Sequence, residues 1–226
     1  MYQNNDGISI QVGLSGYSFR LEADGERQSS GWMGADRVFT TPQLQKRYEA
    51  VEISLFTPKA TLVPEQFYDH EQRRRVLSDV VRLEDGDSVE AVEVPEFGAV
   101  LVYSVGSGKT LSKLISETVL MTDGTRARIF PEHYRMLKGL SGMHEYNKIV
   151  ASYADGYLYL VIAQGGSLLL CNSFKAPDFT TAEYFIFLAM KKLQLNPEVS
   201  VISFRTPLEA DQEMSLYRYF KSVEQI

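Results

Sequence analysis

The stretches "SGYSFRLEADG" (residues 15–25) and "DGYLYLVIAQG" (residues 155–165) align without a gap, 140 positions apart. Gly16, Tyr17, Ala23 and Gly25 recur as Gly156, Tyr157, Ala163 and Gly165. Phe19 and Leu21 become Tyr159 and Val161, so apolar character alternates in step in both stretches. Alternation with a period of two marks a strand with one buried face. The same offset carries Thr40-Thr41 onto Thr180-Thr181, each ahead of a helix-like segment. Similarity held at one offset over such a distance predicts an internal duplication.

Each half reads outward from these stretches in the same order. The first predicts strands at 8–14 and 17–22 about a turn at Ser15-Gly16, a third strand, a short helix near 42–49, and the strand "VEISLF" (51–56). The second predicts strands at 148–153, 157–163 and 167–174, then the helix "TTAEYFIFLAMKKLQL" (180–195). Thr180 and Glu183 have the spacing of a capping box, and apolar residues on nearly every side of that helix predict that it is buried. The strand "VSVISF" (199–204) and an amphipathic helix at 208–220 follow, and "KSVEQI" (221–226) begins a closing strand. Between the halves lie a helix at 69–83, strands at 91–94 and 99–105, a helix at 109–119, and a short strand and helix at 128–130 and 131–140. This order predicts an α/β protein with mixed sheets. Its two ribonuclease H-like lobes are 1–146, with an inserted strand–helix subdomain, and 147–226, together forming a duplicated actin-like ATPase fold.

Three segments carry a resemblance over essentially the whole chain: "TPKATLVPEQFYD" (57–69), "VLVYSV" (100–105) and "GGSLLLCNSFKAPDFTTAEYFIFLAMKKLQLNP" (165–197). They resemble a bacterial family of domains of unknown function assigned to the actin-like ATPase fold. That family is related at fold level to actin-like proteins of pilus assembly and cell division. The resemblance implies a D-x-G between the first two strands of each lobe, whose acids handle magnesium and the attacking water. It also implies a glycine pair that admits the adenosine. Magnesium prefers oxygen ligands, and hydrolysis requires an oriented water.

In this sequence Gln11 stands where the first acid is implied, with Gly13 matching the glycine. The 140 offset sets Ala151 and Tyr153 at the second place, and Phe204-Arg205 replace the adenosine glycines. Asp155-Gly156 reads as a hairpin turn. The expectation is therefore a protein that has lost ATP turnover, needs no cofactor, and serves as an interaction or scaffold module for a protein partner. The alternative is a diverged nucleotide-binding ATPase with Gln11, Gly13, Ser15, Asp155 and Gly156 around the phosphates of Mg-ATP. A third reading places an unrelated enzyme site in the cleft between the lobes.

Composition excludes several other classes. A net charge of −6 argues against nucleic-acid binding, which rests on phosphate neutralisation. No run approaches a membrane span, no leader is evident, and a single cysteine fits a reducing compartment such as the cytoplasm. Cys171 lies in the apolar run "SLLLCNSF", where a buried, inert thiol is expected. The run Arg73-Arg74-Arg75 reads as a solvated helix face opposite Val76, Leu77, Val80 and Val81, and "LEDGDSVE" (83–90) as a solvated loop. His70, His133 and His144 are separated and predict surface or helix-end positions, with no metal site. Two-metal nuclease chemistry needs several carboxylates, and Glu22 and Glu52 are not assembled into a site by any pattern. The run "VGSGKT" (105–110) approaches the phosphate-loop consensus, but that pattern requires glycine where Tyr103 stands.

Overall fold

The computed structural model describes residues 6–23, 26–106 and 109–226, and for Lys109 the backbone alone. The chain opens with β1 (Gly7–Val12), β2 (Gly16–Ala23), β3 (Glu26–Ser29), β4 (Met33–Gly34), β5 (Arg47–Tyr48) and β6 (Ala50–Leu55). Next come β7 (Ala60–Pro64), α1 (Arg73–Ser78), β8 (Ser88–Val94), β9 (Ala99–Val105), α2 (Lys109–Thr118), β10 (Leu120–Met121), β11 (Ile129–Pro131) and α3 (Glu132–Gly139). The last part holds β12 (Asn147–Ala154), β13 (Tyr157–Gln164), β14 (Ser167–Lys175), α4 (Phe179–Lys192), β15 (Val201–Phe204), α5 (Ala210–Tyr217) and β16 (Ser222–Gln225).

Two compact units result, residues 1–56 with 106–132 and residues 57–105 with 133–226. The first contains the sheet β11-β6-β1-β2-β3, with β4 also pairing β2. Its core gathers Ile8, Ile10 and Val12 of β1, Tyr17 and Phe19 of β2, Val51 and Ile53 of β6, and Ile115 of α2. The second contains the sheet β14-β13-β12-β15-β16 and a three-stranded sheet, β7-β9-β8. There Ile149, Ala151, Leu158, Leu160 and Ile202 pack against Ala182, Ile186 and Met190 of α4. Burying each large apolar side chain contributes about 1.5–3 kcal/mol.

The six-stranded sheet of the first unit and the five-stranded sheet of the second share one plan. The central strand runs antiparallel to its successor on one side, and parallel to a later strand on the other. A further parallel strand closes that second side in each sheet: β11 beside β6, and β16 beside β15.

The two hairpins do not correspond at the offset of 140. In the first, Gly13 N–H donates to Gly16 O at 2.9 Å, closing a loop of Leu14 and Ser15. In the second, Ala154 pairs Tyr157 around Asp155 and Gly156. Gly13 therefore corresponds to Ala154, and the matching offset is 141. The inward-facing residues agree: Ile8, Ile10, Tyr17 and Phe19 correspond to Ile149, Ala151, Leu158 and Leu160. A shift of one residue turns every side chain of a strand to its other face. Tyr17 and Tyr157, identical in sequence, thus hold different places: Tyr17 lies in the core, while Tyr157 is only half-buried.

The paired glycines also differ. Gly156 has φ +73° and follows Asp155 at φ +51°, as a two-residue hairpin with both central residues left-handed requires. Gly16 serves close approach instead, since a Cβ there would lie 2.0 Å from the carbonyl oxygen of Met33 on β4. Gly25, the last first-half residue of the match, lies outside the described residues.

Several helical expectations change. Asp178 caps α4, accepting from Thr181 N–H at 2.7 Å, so the expected cap at Thr180 is displaced by two residues. α4 fully buries Ala182, Ile186 and Met190, packs Phe185, Phe187 and Ala189 partly against the core, and leaves Tyr184 exposed. The expected helix at 69–83 shortens to α1 after a 3-10 turn, with Val80 exposed, and the helix expected near 42–49 is a 3-10 turn, Pro42–Gln45. The acidic loop is anchored, not freely solvated: Asp87 is buried and pairs Lys59 at 2.6 Å. Burial pushes the Asp87 carboxyl up, but Glu84 N–H, Lys59 and Ser104 together hold it below the usual carboxylate range. Of the arginine run, Arg73 Nε donates to Val89 O and Arg74 to Asp87 O, so two of the three tie down backbone.

Candidate functional site

The resemblance directs attention to the end of β1. Alternation along β1 sends Ile8, Ile10 and Val12 into the core and turns Gln11 to the opposite face. Register sets Gln11 beside Ser18 of β2 on one side and Ser54 of β6 on the other. All three are buried, forming a polar row across three neighbouring strands. Gln11 Nε2 donates to Glu132 Oε1 at 2.8 Å, and Ser18 Oγ donates to Gln11 Oε1 at 3.3 Å. Because a carboxylate only accepts, the Glu132 contact fixes which way the amide points.

Glu132 is wholly buried and opens α3, directly after β11. It is the acid that Gln11 contacts, and no pattern in the sequence marks it. Its sequence signal was slight, because an acid in a first helical turn ordinarily complements the helix dipole.

The remaining residues of the first unit's hairpin are held by its own backbone and neighbours. Gly13 is committed to the turn described above, and Ser15 Oγ accepts from Trp32 Nε1 at 3.0 Å. Trp32 in turn meets the ring of Phe56 at 6.0 Å. Gln11, Gly13 and Ser15 thus come together on one hairpin, with Glu132 against its inner strand.

In the second unit, Asp155 and Gly156 form the hairpin loop, and Gly156 O accepts from Ala176 N–H at 2.8 Å. Ala151, expected opposite Gln11, faces the core instead. The corrected offset puts Ser152 in that place, buried and in register with Tyr159. The inward alternation of Ile149 and Ala151 was the available signal for this assignment. His133 takes one of the expected positions, a helix end, but is buried there, with its ring edge-on to Tyr159 at 5.2 Å. Phe204 belongs to the core, and Arg205 N–H donates to Ala151 O at 2.9 Å.

Other candidates have local structural partners. Glu22 pairs Arg27 at the surface, and the exposed Glu52 of β6 is in register with Ser9, one step along the same face from the Gln11–Ser54 pair. Cys171 is partly covered, and burial pushes its thiol up to about 12, which keeps it protonated at neutral pH. Tyr103 is buried within β9. Of the "VGSGKT" run, Ser107 and Gly108 lie outside the described residues, and Lys109 opens α2. Among the described residues no three His, Cys, Asp or Glu side chains are grouped as metal ligands, and no helix is long and apolar enough to cross a membrane.

A family model, that of the proteins of unknown function DUF3822, matches residues 8–223. No curated protein matches the chain. Among solved structures, the chain is similar to a Bacteroides thetaiotaomicron protein with actin-like ATPase fold and unknown function. Identity is 16% and the TM-score 0.69, over 99% of this chain and 91% of that one. It is also similar to a chain of the PilM-PilN type IV pilus biogenesis complex, at 11% identity and a TM-score of 0.52, over 97% of this chain and 88% of that one. The architecture is accordingly the actin-like ATPase fold, built from mixed sheets.

Proposed function

The chain belongs to the DUF3822 family, and on that premise we propose that it is an actin-like-fold module that does not hydrolyse ATP and acts by holding a protein partner. The observation that carries this reading is the pairing of Gln11 with Glu132. At the place where the resemblance implies a magnesium-handling acid, β1 offers a neutral amide, already engaged by a buried carboxylate. Ser152, its counterpart on β12 by hairpin register, is also neutral. This donor set does not fit a magnesium nucleotide, which needs accessible anionic oxygens.

On this reading the two sheets are ribonuclease H-like lobes that arose by duplication, and the nucleotide site of the fold has degenerated. The PilM-PilN type IV pilus biogenesis complex, one chain of which is similar to this one, supports a partner of protein nature. The lone cysteine supports residence in the reducing cytoplasm. The deciding experiment is calorimetric titration of the full chain with Mg-ATP, alongside a phosphate-release assay. We expect no magnesium-dependent turnover; sustained turnover abolished by EDTA would overturn the reading.

Glu132 supports one rival. In it the charge absent from β1 is supplied from α3, so Gln11 and Glu132 together orient a water beside Gly13 and Ser15. Glu132→Gln would then abolish phosphate release while Lys109→Ala would leave it intact.

A further inference from the structure

α4 closes on its sheet through Ala182, Ile186 and Met190, so the other side of the helix faces outward. There Tyr184 is 60% exposed, and at the edge of that side Phe187, one turn on and partly buried against the core, meets Tyr219 ring to ring at 4.9 Å. Tyr219 follows α5 and is itself 52% exposed. Residues three apart on a helix are neighbours, so two elements contribute to one aromatic strip. Single exposed apolar residues are commonplace, whereas a contiguous strip marks an interaction surface.

Cations gather at the C-terminal end of α4 and just after α5, whereas the acids of α5, Asp211 and Glu213, stand in its first turn. α4 and residues 217–221 contain Lys191, Lys192, Arg218 and Lys221 against the single acid Glu183, in a chain of net charge −6. Lys191, Arg218 and Lys221 are exposed. Among the described residues none of the three enters an ion pair. Cations at helix C-termini complement the helix dipole, which accounts for Lys191 and Arg218 but not for Lys221 or for the rings. Tyrosine and arginine concentrate at the centres of protein interfaces, where a rigid ring gives contact area at low entropic cost. A membrane-binding face would instead present Trp, Phe or Leu for insertion and a denser run of cations.

We propose that this surface docks an acidic amphipathic segment of a partner protein. The segment's apolar side covers Tyr184, Phe187 and Tyr219, and its Asp and Glu side chains face Lys191, Arg218 and Lys221. The proposal rests on the reading that the protein holds a protein partner, and it names the surface and the chemistry of that partner.

The test is selection of displayed peptides of about 16 residues, long enough for four helical turns, against the full chain. Fluorescence anisotropy then measures the enriched peptides after labelling. We expect enriched sequences with acids and apolar residues at helical spacing, binding that weakens with salt, and a loss of about tenfold or more in Tyr219→Ala and in Lys191→Glu. Both positions are exposed, so circular dichroism of the variants should match that of the parent.

Failure to enrich any peptide, enrichment of peptides lacking acids, or binding indifferent to both substitutions overturns the proposal. Binding to phosphatidylserine vesicles without peptide binding overturns it in favour of a membrane. Self-association abolished by the same substitutions overturns it in favour of a second copy. Phosphate release on the same preparations separates the two readings. Hydrolysis together with peptide binding sinks the non-hydrolysing reading and leaves this surface standing, and neither hydrolysis nor binding does the reverse.

Discussion

The side-chain amide of Gln11 donates to the carboxylate of Glu132 at 2.8 Å, joining residues 121 positions apart in sequence. Both are buried, so a neutral donor at position 11 lets the acid remain at 132 without a second charge beside it. Restoring an acid to the first of these places therefore disturbs the second.

Gln11→Glu, which keeps the side chain's size, should lower stability by about 2–4 kcal/mol at neutral pH, because two adjacent buried carboxyls cannot both ionise. One of them must hold its proton, with its pKa in the folded state raised above the unfolded value. The penalty then grows as pH rises through the usual carboxylate range and shrinks as pH falls. Urea unfolding at pH 5 and pH 8 measures this; a cost independent of pH would show that the pair is not isolated as described.

The two glycines that match in sequence should respond differently to alanine. Gly156→Ala meets no close atom but must hold φ +73°, a cost of about 1–2 kcal/mol. Gly16→Ala meets Met33 O at 2.0 Å and must move β4, a cost of about 2–3 kcal/mol. Thermal unfolding of the two variants ranks them. Equal effects would undo the distinction between a left-handed turn and a close backbone approach.

These glycines also indicate how far the sequence could be read. The alternation in both hairpins was legible, as were most strands, because a buried face writes itself directly into a period of two. The offset was not, since residue identity at Tyr17 and Tyr157 carries no record of which face each occupies. That face is decided by the loop, whose two-residue closure starts from Gly13 in one hairpin and from Ala154 in the other. Glu132 was hidden for a different reason: its partner lies on a distant strand, and only the sheet brings β1 and the end of β11 within reach.

Asp178→Ala should lower Tm by a few degrees, as loss of an N-cap does, whereas Thr180→Ala should leave it nearly unchanged. The hydrogen bonds from Thr181 hold the Asp178 carboxyl below its usual range. Its contribution is thus present above the ordinary aspartate range and disappears as pH falls through the folded-state value. The two Tm curves should converge in acid. A larger effect from Thr180 would return the cap to the capping-box position.

Tyr103→Gly completes the phosphate-loop consensus on paper. Because Tyr103 is buried in β9, the substitution should cost about 3–5 kcal/mol and confer no affinity for Mg-ATP. Denaturant unfolding and nucleotide titration of this variant, beside Lys109→Ala, check both halves. A gain of nucleotide binding would show that the turn after β9 is a phosphate cradle.

Each unit draws on two separated stretches of chain, 1–56 with 106–132 and 57–105 with 133–226. On the ribosome, β11 emerges before any strand of the second unit's five-stranded sheet, so the first unit can complete its sheet while that one is still unmade. β7, α1, β8 and β9 must meanwhile wait with their own three-stranded sheet and the small cluster around Leu77, Val100 and Val102 to hold them. Such an early, half-satisfied segment is where a growing chain is most exposed to misassociation. The interleaving of the two units thus imposes a birth order on the molecule, with the half that carries Gln11 and Glu132 the first to become native.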